Sequence, residues 1–491
     1  MKRLFSTLIC LAVVLAIIMS CASCDRGGEP SSPTPENSEP PRFAGSITVG
    51  VPESYPDEIM NSFTKYVEAF SAEYPGVEID LRRVTAAEDA LRAAKEDRNY
   101  ADVVLFPGRE TLRLTYDEDL LLRLDIIYED VDTKNIYRAS LEAGMLAGKT
   151  YSVAVNYDPV CMIYNKTAFE ELLPGRKLPR IWTVEEMAAY CLDLIEAQNG
   201  QPATLYYGAE LDITYEPVFL SLLRPRSEAN NSKGWVDPDT MDVGFSRRKA
   251  GSSGGKAEYA YASTQDLITV GHAYPDCAFG PRRDYLEDPN NWGNSIFLKD
   301  RANWIKETFL SGEPVFRAVL FSEIPEAVKQ YEEKGVDWEL APFPGSGLNG
   351  FDSCVAADCD CLGVRKDIGG TENATAAVYF CGFMYSEKGQ TAFSEGRRSI
   401  SPLKFMSEKG TWRSVGGKYA DKNWDLCLLY AENSVPAFLS FYVPEVCAEV
   451  ISNKIDRACF ESLRGYNPEE GLLQIKDAAT AAWNNTYGDW R

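Results

Sequence analysis

Hydrophobic positions recur along this chain with two periods, and the switches between them mark out the elements. Ser46 to Gly50 carries apolar residues in a short strand pattern that runs into a loop, Val51 to Pro56. Ile59, Phe63, Val67, Phe70 and Tyr74 then fall at helical spacing, so Asp57 to Tyr74 reads as a helix with one apolar face. Pro75-Gly76 stops it. Val77, Ile79 and Leu81 alternate with polar residues as in a strand, Ala86 to Arg98 returns to the helical period, and Asp102 to Phe106 is a short apolar run ended by Pro107-Gly108. Such a run suits a parallel strand buried on both faces. The order β-α-β-α-β predicts a parallel, doubly wound sheet and an α/β fold class.

Further along, Tyr151 to Val155 and Val160 to Tyr164 read as two strands split by Asn156-Tyr157-Asp158-Pro159. Val184 to Ala197 is a helix announced by Thr183 with Glu186 three residues on, a reciprocal capping pair. Arg224 to Gly255 is polar and rich in Gly and Ser, the composition of a surface excursion. Glu313 to Phe321 and Asp337 to Ala341 read as strands around a helix, Pro325 to Lys334. Asn373 to Tyr385 is helical, and a last helix starts at Asn467-Pro468. No internal repeat is visible.

The N-terminus has a pattern of its own. Lys2 and Arg3 precede an almost wholly apolar run from Leu4 to Met19, short for a membrane span and the right size for an export signal. Ile18-Met19-Ser20-Cys21 follows, which resembles a bacterial lipobox and makes residues 1–20 a lipoprotein signal peptide and Cys21 the acylated residue. Residues 21–42 are dominated by Pro, Ser, Glu, Asn and Gly and read as a solvated tether. The body begins near Phe43 and is long enough for two lobes.

Composition narrows the partners. Among 491 residues the formal charge is −23, which argues against nucleic acid and against electrostatic adhesion to anionic lipid. Membrane attachment therefore falls to the acyl chain. Removing Cys10 and Cys21 from the 13 cysteines leaves an odd number, and spacing does not fix their pairing.

The order of motifs over the body is similar to that of the family 1 extracellular solute-binding proteins of ABC transporters, the maltose-binding-protein-like class. Phe70 to Val77, with Tyr74-Pro75-Gly76, resembles the family's first helix end. Ala101 to Val104 resembles its Pro-Asp-Val strand. Ala147 to Ala154, Ile163 to Lys166 with Pro179 and Trp182 to Glu186, Phe309 to Glu313, Trp338 to Gly345 and Val435 to Phe438 follow in the family's order. Ala154 stands where the family has proline, Thr150 interrupts one motif, and Arg224 to Tyr285 matches none. The resemblance implies a two-lobed periplasmic-binding-protein type II fold with a hinge and an interlobe cleft. It places the first lobe at 43–155 and 313–358 and the second at 156–312 and 359–491. It also implies capture of a small solute for delivery to ABC permease subunits, at the outer face of the cytoplasmic membrane, by a monomer without cofactor or catalytic residues. The alternatives are a lipid-anchored sensory or surface binder on the same fold, and a secreted carbohydrate-active hydrolase. No nucleophile elbow, His-Glu-x-x-His or phosphate loop supports an enzyme.

Ligands of open α/β sheets sit beyond the carboxyl ends of strands, which selects four loops. They carry Tyr55, Arg109 with Glu110, Asn156 and Tyr157 with Asp158, and Phe321, Ser322 and Glu323. Aromatic faces there would stack on sugar rings while Arg109, Asn156 and the carboxylates meet hydroxyls. Trp235, in a loop, and Trp412 are the second-lobe aromatics expected to join them; Trp292 and Trp424 are weaker candidates. Cys354, Cys359 and Cys361 with Asp358 and Asp360 form a dense cluster, which reads as free thiols or a disulfide rather than a metal site, because the sole histidine, His272, is distant.

Overall fold

The structure, a computed structural model, describes residues 43–129, 131–146, 148–197, 206–210, 217–218, 221–222, 313–345, 353–395, 400–408, 412, 419–437 and 481. The leader and Cys21, the tether, the 224–255 excursion, Trp235, Trp292, His272 and the start of the last helix lie outside these residues.

The first half of the chain runs β1 (Gly45–Pro52), α1 (Asp57–Glu73), β2 (Val77–Val84), α2 (Ala87–Arg92), β3 (Val103–Pro107), α3 (Arg138–Ala143), β4 (Ser152–Ala154), β5 (Asp158–Asn165), α4 (Lys166–Leu172), α5 (Val184–Ala197) and β6 (Tyr206–Glu210). The second half adds β7 (Glu313–Leu320), β8 (Trp338–Ala341), β9 (Ala356–Asp358), β10 (Asp360–Val364), α6 (Thr371–Phe383), α7 (Glu387–Glu395) and β11 (Val435–Pro436). Two sheets result. The first has the order β2-β1-β3-β10-β4, with β1 parallel to β2 and β3, and β10 antiparallel to β3 and β4. The second has the order β11-β9-β5-β7-β6, with β8 also paired to β5.

Each sheet has its own core. Ile59, Phe63, Tyr66 and Phe70 of α1 are buried, with Tyr66 inside and Val67 at the margin of the face that periodicity predicts. They meet Phe380 and Phe383 of α6 and Phe393 of α7 edge to face, with ring centroids 5.0–5.5 Å apart for Tyr66–Phe380, Phe70–Phe380, Phe70–Phe383 and Phe63–Phe393. Pairs of this geometry add about 0.5–1.5 kcal/mol each to the burial of the rings. Asp57 and Glu58 occupy the first turn of α1, where a negative charge meets the positive end of the helix dipole. Around the second sheet, Phe321, Trp338, Trp412, Trp424 and Tyr419 build an aromatic core. The capping pair of α5 is present: the Thr183 N–H donates to Glu186 Oε2 (2.8 Å) and the Glu186 N–H to Thr183 Oγ1 (3.1 Å).

Two strand assignments differ from the expected lobe boundaries. β7 lies beside β5 in the second sheet, in the register Val160↔Leu320 to Tyr164↔Phe316. β10 lies in the first sheet between β3 and β4. The 313–358 segment therefore belongs with the second sheet, and the chain returns to the first at Asp360. A buried strand presents the same apolar run to either sheet, so its pairing partner is a long-range choice that local pattern does not carry.

Candidate functional site

The two sheets are joined where the chain passes from one to the other. β4 leads into β5 through Val155, Asn156 and Tyr157, and β9 leads into β10 through the single residue Cys359. These crossings run antiparallel and side by side: Ala154 is opposite Cys361 in the first sheet, and Asp158 opposite Asp358 in the second. A third passage lies at Ile400 to Leu403. The Ile400 carbonyl accepts from the Tyr157 N–H (2.9 Å), while Ile400 packs in the second core and Leu403 in the first. Few residues make each passage, which is the construction of a hinge.

Three loops end on this junction, and the fourth, Asn156 to Asp158, is part of it. The loop after β1 is held from behind by Arg83, whose guanidinium donates to the Pro52 carbonyl (3.1 Å) and the Tyr55 carbonyl (2.7 Å). From the front, the Tyr55 hydroxyl donates to Asp360 Oδ1 at 2.7 Å. Burial, reinforced by the Asp360 charge, raises the Tyr55 pKa, so the hydroxyl keeps its proton and remains a donor. The loop after β3 is fixed where the Gly108 N–H donates to the Cys359 carbonyl (2.8 Å). Between the crossing strands, Asn156 Oδ1 accepts from the Asp360 N–H at 2.7 Å. After β7, Ser322 donates twice to Asp158, its N–H to Oδ1 (2.8 Å) and its hydroxyl to Oδ2 (2.6 Å), and Glu323 folds back to accept from the Leu320 N–H (2.9 Å).

The predicted residues divide in two. Tyr55, Asn156, Ser322 and Glu323 are gathered at or beside the crossing, and Arg109 stands exposed in the turn that Gly108 anchors there. Three aromatics are core residues instead. Tyr157 is 1% exposed and stacks on Tyr137 with centroids 4.4 Å apart. Phe321 is buried edge-on against Trp412 (5.6 Å), and the Trp412 indole N–H donates to the Ser407 carbonyl at 2.8 Å. Tyr157 and Phe321, at strand ends, and Trp412, beyond a short helix, each find their largest favourable burial in the nearest core. Glu110 pairs with Arg113 at 2.7 Å and contributes to a surface ion network with Glu88.

Asp360 is the residue that pattern reading passed over as a site. It accepts from Tyr55 and is held by Asn156, yet in sequence it looked like part of a thiol cluster. The available signal was a carboxylate opening a strictly apolar strand, Cys361 to Val364. The cysteines themselves are buried free thiols, and Cys359 lies 3.5 Å from the Ser140 hydroxyl. Burial raises the Cys359 and Cys361 pKa values, which suppresses the thiolate that would react or bind metal. Among the described residues no group of His, Cys, Asp and Glu could hold a metal ion.

Two α/β lobes on paired crossing strands, with strand ends of both sheets converging on the passage, define the two-lobed fold of the periplasmic binding proteins. The chain belongs to the bacterial extracellular solute-binding proteins, whose family model matches residues 65–415. Solved structures with the same fold include a maltose-binding periplasmic protein of Listeria monocytogenes in complex with maltose. It is 14% identical, with a TM-score of 0.58, over 90% of this chain and 99% of its own. The cyclic alpha-maltosyl-1,6-maltose binding protein of Arthrobacter globiformis is 15% identical, with a TM-score of 0.58 over 90% and 99%. UgpB of Mycobacterium tuberculosis, solved with glycerophosphocholine, is 15% identical, with a TM-score of 0.55 over 90% and 99%. No curated protein sequence matches the chain.

Proposed function

We propose that this protein captures a neutral mono- or oligosaccharide between its lobes and delivers it to the membrane subunits of an ABC importer, held at the cell surface by an acylated Cys21. The observation that carries the reading is the convergence of three strand-end loops, two from the first sheet and one from the second, on the crossing residues 156–158 and 359–360. Exposed Glu53, Ser54, Arg109, Ser322 and Glu323 give those loops the mixed donors and acceptors that hydroxyls require. A chain of net charge −23 repels anionic solutes, which favours an uncharged one. A solute that touches both lobes only when they close shifts the population toward the closed state, the form a permease distinguishes. In this reading the first lobe comprises residues 43–155 and 360–395, the second is built on β5 to β9, and the protein binds its solute as a monomer without turning it over.

Thermal unfolding of the purified chain against maltose, longer maltodextrins, polyols, amino acids and glycerophosphocholine tests this. A bound solute at a hundredfold excess over Kd stabilises the folded state by about 2.7 kcal/mol. A rise confined to sugars, with the sugar recovered intact by mass spectrometry, is expected. A rise with glycerophosphocholine or amino acids alone, or turnover of the sugar, refutes the sugar-binding reading. Fatty-acid labelling in cells, abolished by Cys21→Ala with loss of the protein from the membrane fraction, tests the anchor.

A further inference from the structure

We propose that Asp158 and Asp360 are a matched pair of positioning residues for solute capture, each fastening one rim loop of the site to its own crossing strand. The inference rests on the solute-binding reading above and says how the two half-sites keep their shape while the hinge turns.

The two carboxylates are placed alike. Asp158 is the first residue of β5 in the second sheet, just past the first passage. Asp360 is the first residue of β10 in the first sheet, just past the second passage. Each therefore sits on the lobe the chain has just entered. Asp360 reaches the loop after β1, taking the Tyr55 hydroxyl at 2.7 Å, and Asp158 reaches the loop after β7, taking both the N–H and the hydroxyl of Ser322. Hydrogen bonds to an ionised acceptor are roughly twice as strong as neutral ones, so these are the firm fastenings of loops that are otherwise exposed. Each loop is also braced within its own lobe, by Arg83 behind Tyr55 and by the Glu323 turn behind Ser322. Asn156 bonds the Asp360 N–H across the crossing strands, at the pivot, where rotation displaces atoms least.

The consequence is mechanical. When the lobes rotate, the Tyr55 loop travels with β10 and the Ser322 loop with β5, and neither has to be ordered when the solute arrives. Preorganised half-sites lower the entropy lost on binding, and the gain appears in the dissociation rate. Asp158 and Asp360 act through Ser322 and Tyr55 and need not touch the solute.

The test begins with hydrogen–deuterium exchange on the unliganded full chain. Asp158→Ala is expected to raise exchange at the Ser322 amide by about tenfold or more, the equivalent of losing one hydrogen bond to a charged group, and to leave the amides of Glu53, Ser54 and Tyr55 as in the wild type. Asp360→Ala is expected to do the converse. Ser322→Ala and Tyr55→Phe, which remove a single hydroxyl each and keep the fold, should reproduce part of each effect in the same loop. Asp158→Asn, which retains an acceptor oxygen, should restore part of the protection at Ser322. Exchange that rises across both sheets together, or stays unchanged in both loops, overturns the proposal. With maltose as probe, each alanine variant should release the sugar about tenfold faster, which is the same lost bond read kinetically. Absence of any maltose effect on the wild-type protein counts against the sugar and leaves the loop-by-loop exchange result to stand or fall alone.

Discussion

Trp412 separates a core aromatic from a ligand platform. Its side chain is 3% exposed, edge-on to Phe321, with the indole N–H donated to the Ser407 carbonyl. Truncating a buried Trp to Ala costs about 3–5 kcal/mol, transfer and cavity terms together. The carbonyl left without its donor adds about 1 kcal/mol. Unfolding entropy near 2.1 cal/mol/K per residue gives about 1 kcal/mol/K for a body of ~450 residues. Trp412→Ala should therefore lower Tm by about 4–6 °C if the lobes unfold together, and by about twice that if the second lobe melts alone. Trp412→Phe keeps the edge contact and should lose about half as much. The assay is a calorimetric melt of each variant, paired with solute affinity measured at 25 °C on protein that is still folded. Affinity should stay near the wild-type value. Wild-type Tm with lost binding would refute the packing argument and return Trp412 to the site.

Other consequences follow from the same contacts. Gly144→Ala should abolish folding or cost at least about 3 kcal/mol by the overpacking rule, because its Cβ would stand 1.9 Å from the Ser152 carbonyl oxygen at the start of β4; expression and melting read this. Cys161, Cys191, Cys354, Cys359, Cys361, Cys381 and Cys427 are buried thiols, so alkylation mapped by mass spectrometry should label them only after denaturant is added. Asp337 has its pKa lowered first by the Lys166 hydrogen bond and also by Lys422. Its stabilising contribution is complete above the carboxylate's unfolded pKa and disappears as pH falls through the lower folded one. Asp337→Asn should thus cost under ~1 kcal/mol at neutral pH for so exposed a pair and converge with wild type in acid melts. A difference that grows toward low pH would contradict the assignment.

Some of this was legible before any tertiary contact was known. The first β-α-β-α-β run, the α1 face, the α5 capping pair and the strands on either side of Asn156 depend on neighbours within a few residues. For such elements the chemistry that makes them is printed locally. Even here the helix expected over Ala86 to Arg98 closes early, at Arg92, where the buried Arg365 side chain donates to the Ala93 and Ala90 carbonyls from far along the chain. The four rim loops could also be nominated, because the rule that ligands lie beyond strand ends needs only strand positions and direction.

The sequence alone determined the α/β class, the two-lobe size and the family, since periodicity, length and motif order are properties of the chain. Tertiary structure alone decided that Glu313–Leu320 joins the second sheet and Asp360–Val364 the first, because strand pairing is chosen among partners more than a hundred residues away. It also decided that Tyr157, Phe321 and Trp412 lie in a core and that Asp158 and Asp360 hold the rim. An aromatic or a carboxylate at a strand end looks the same in sequence whether it faces solvent, solute or protein. The difference lies in the surfaces that fold against it, and those are contributed by distant segments whose arrival no local pattern records.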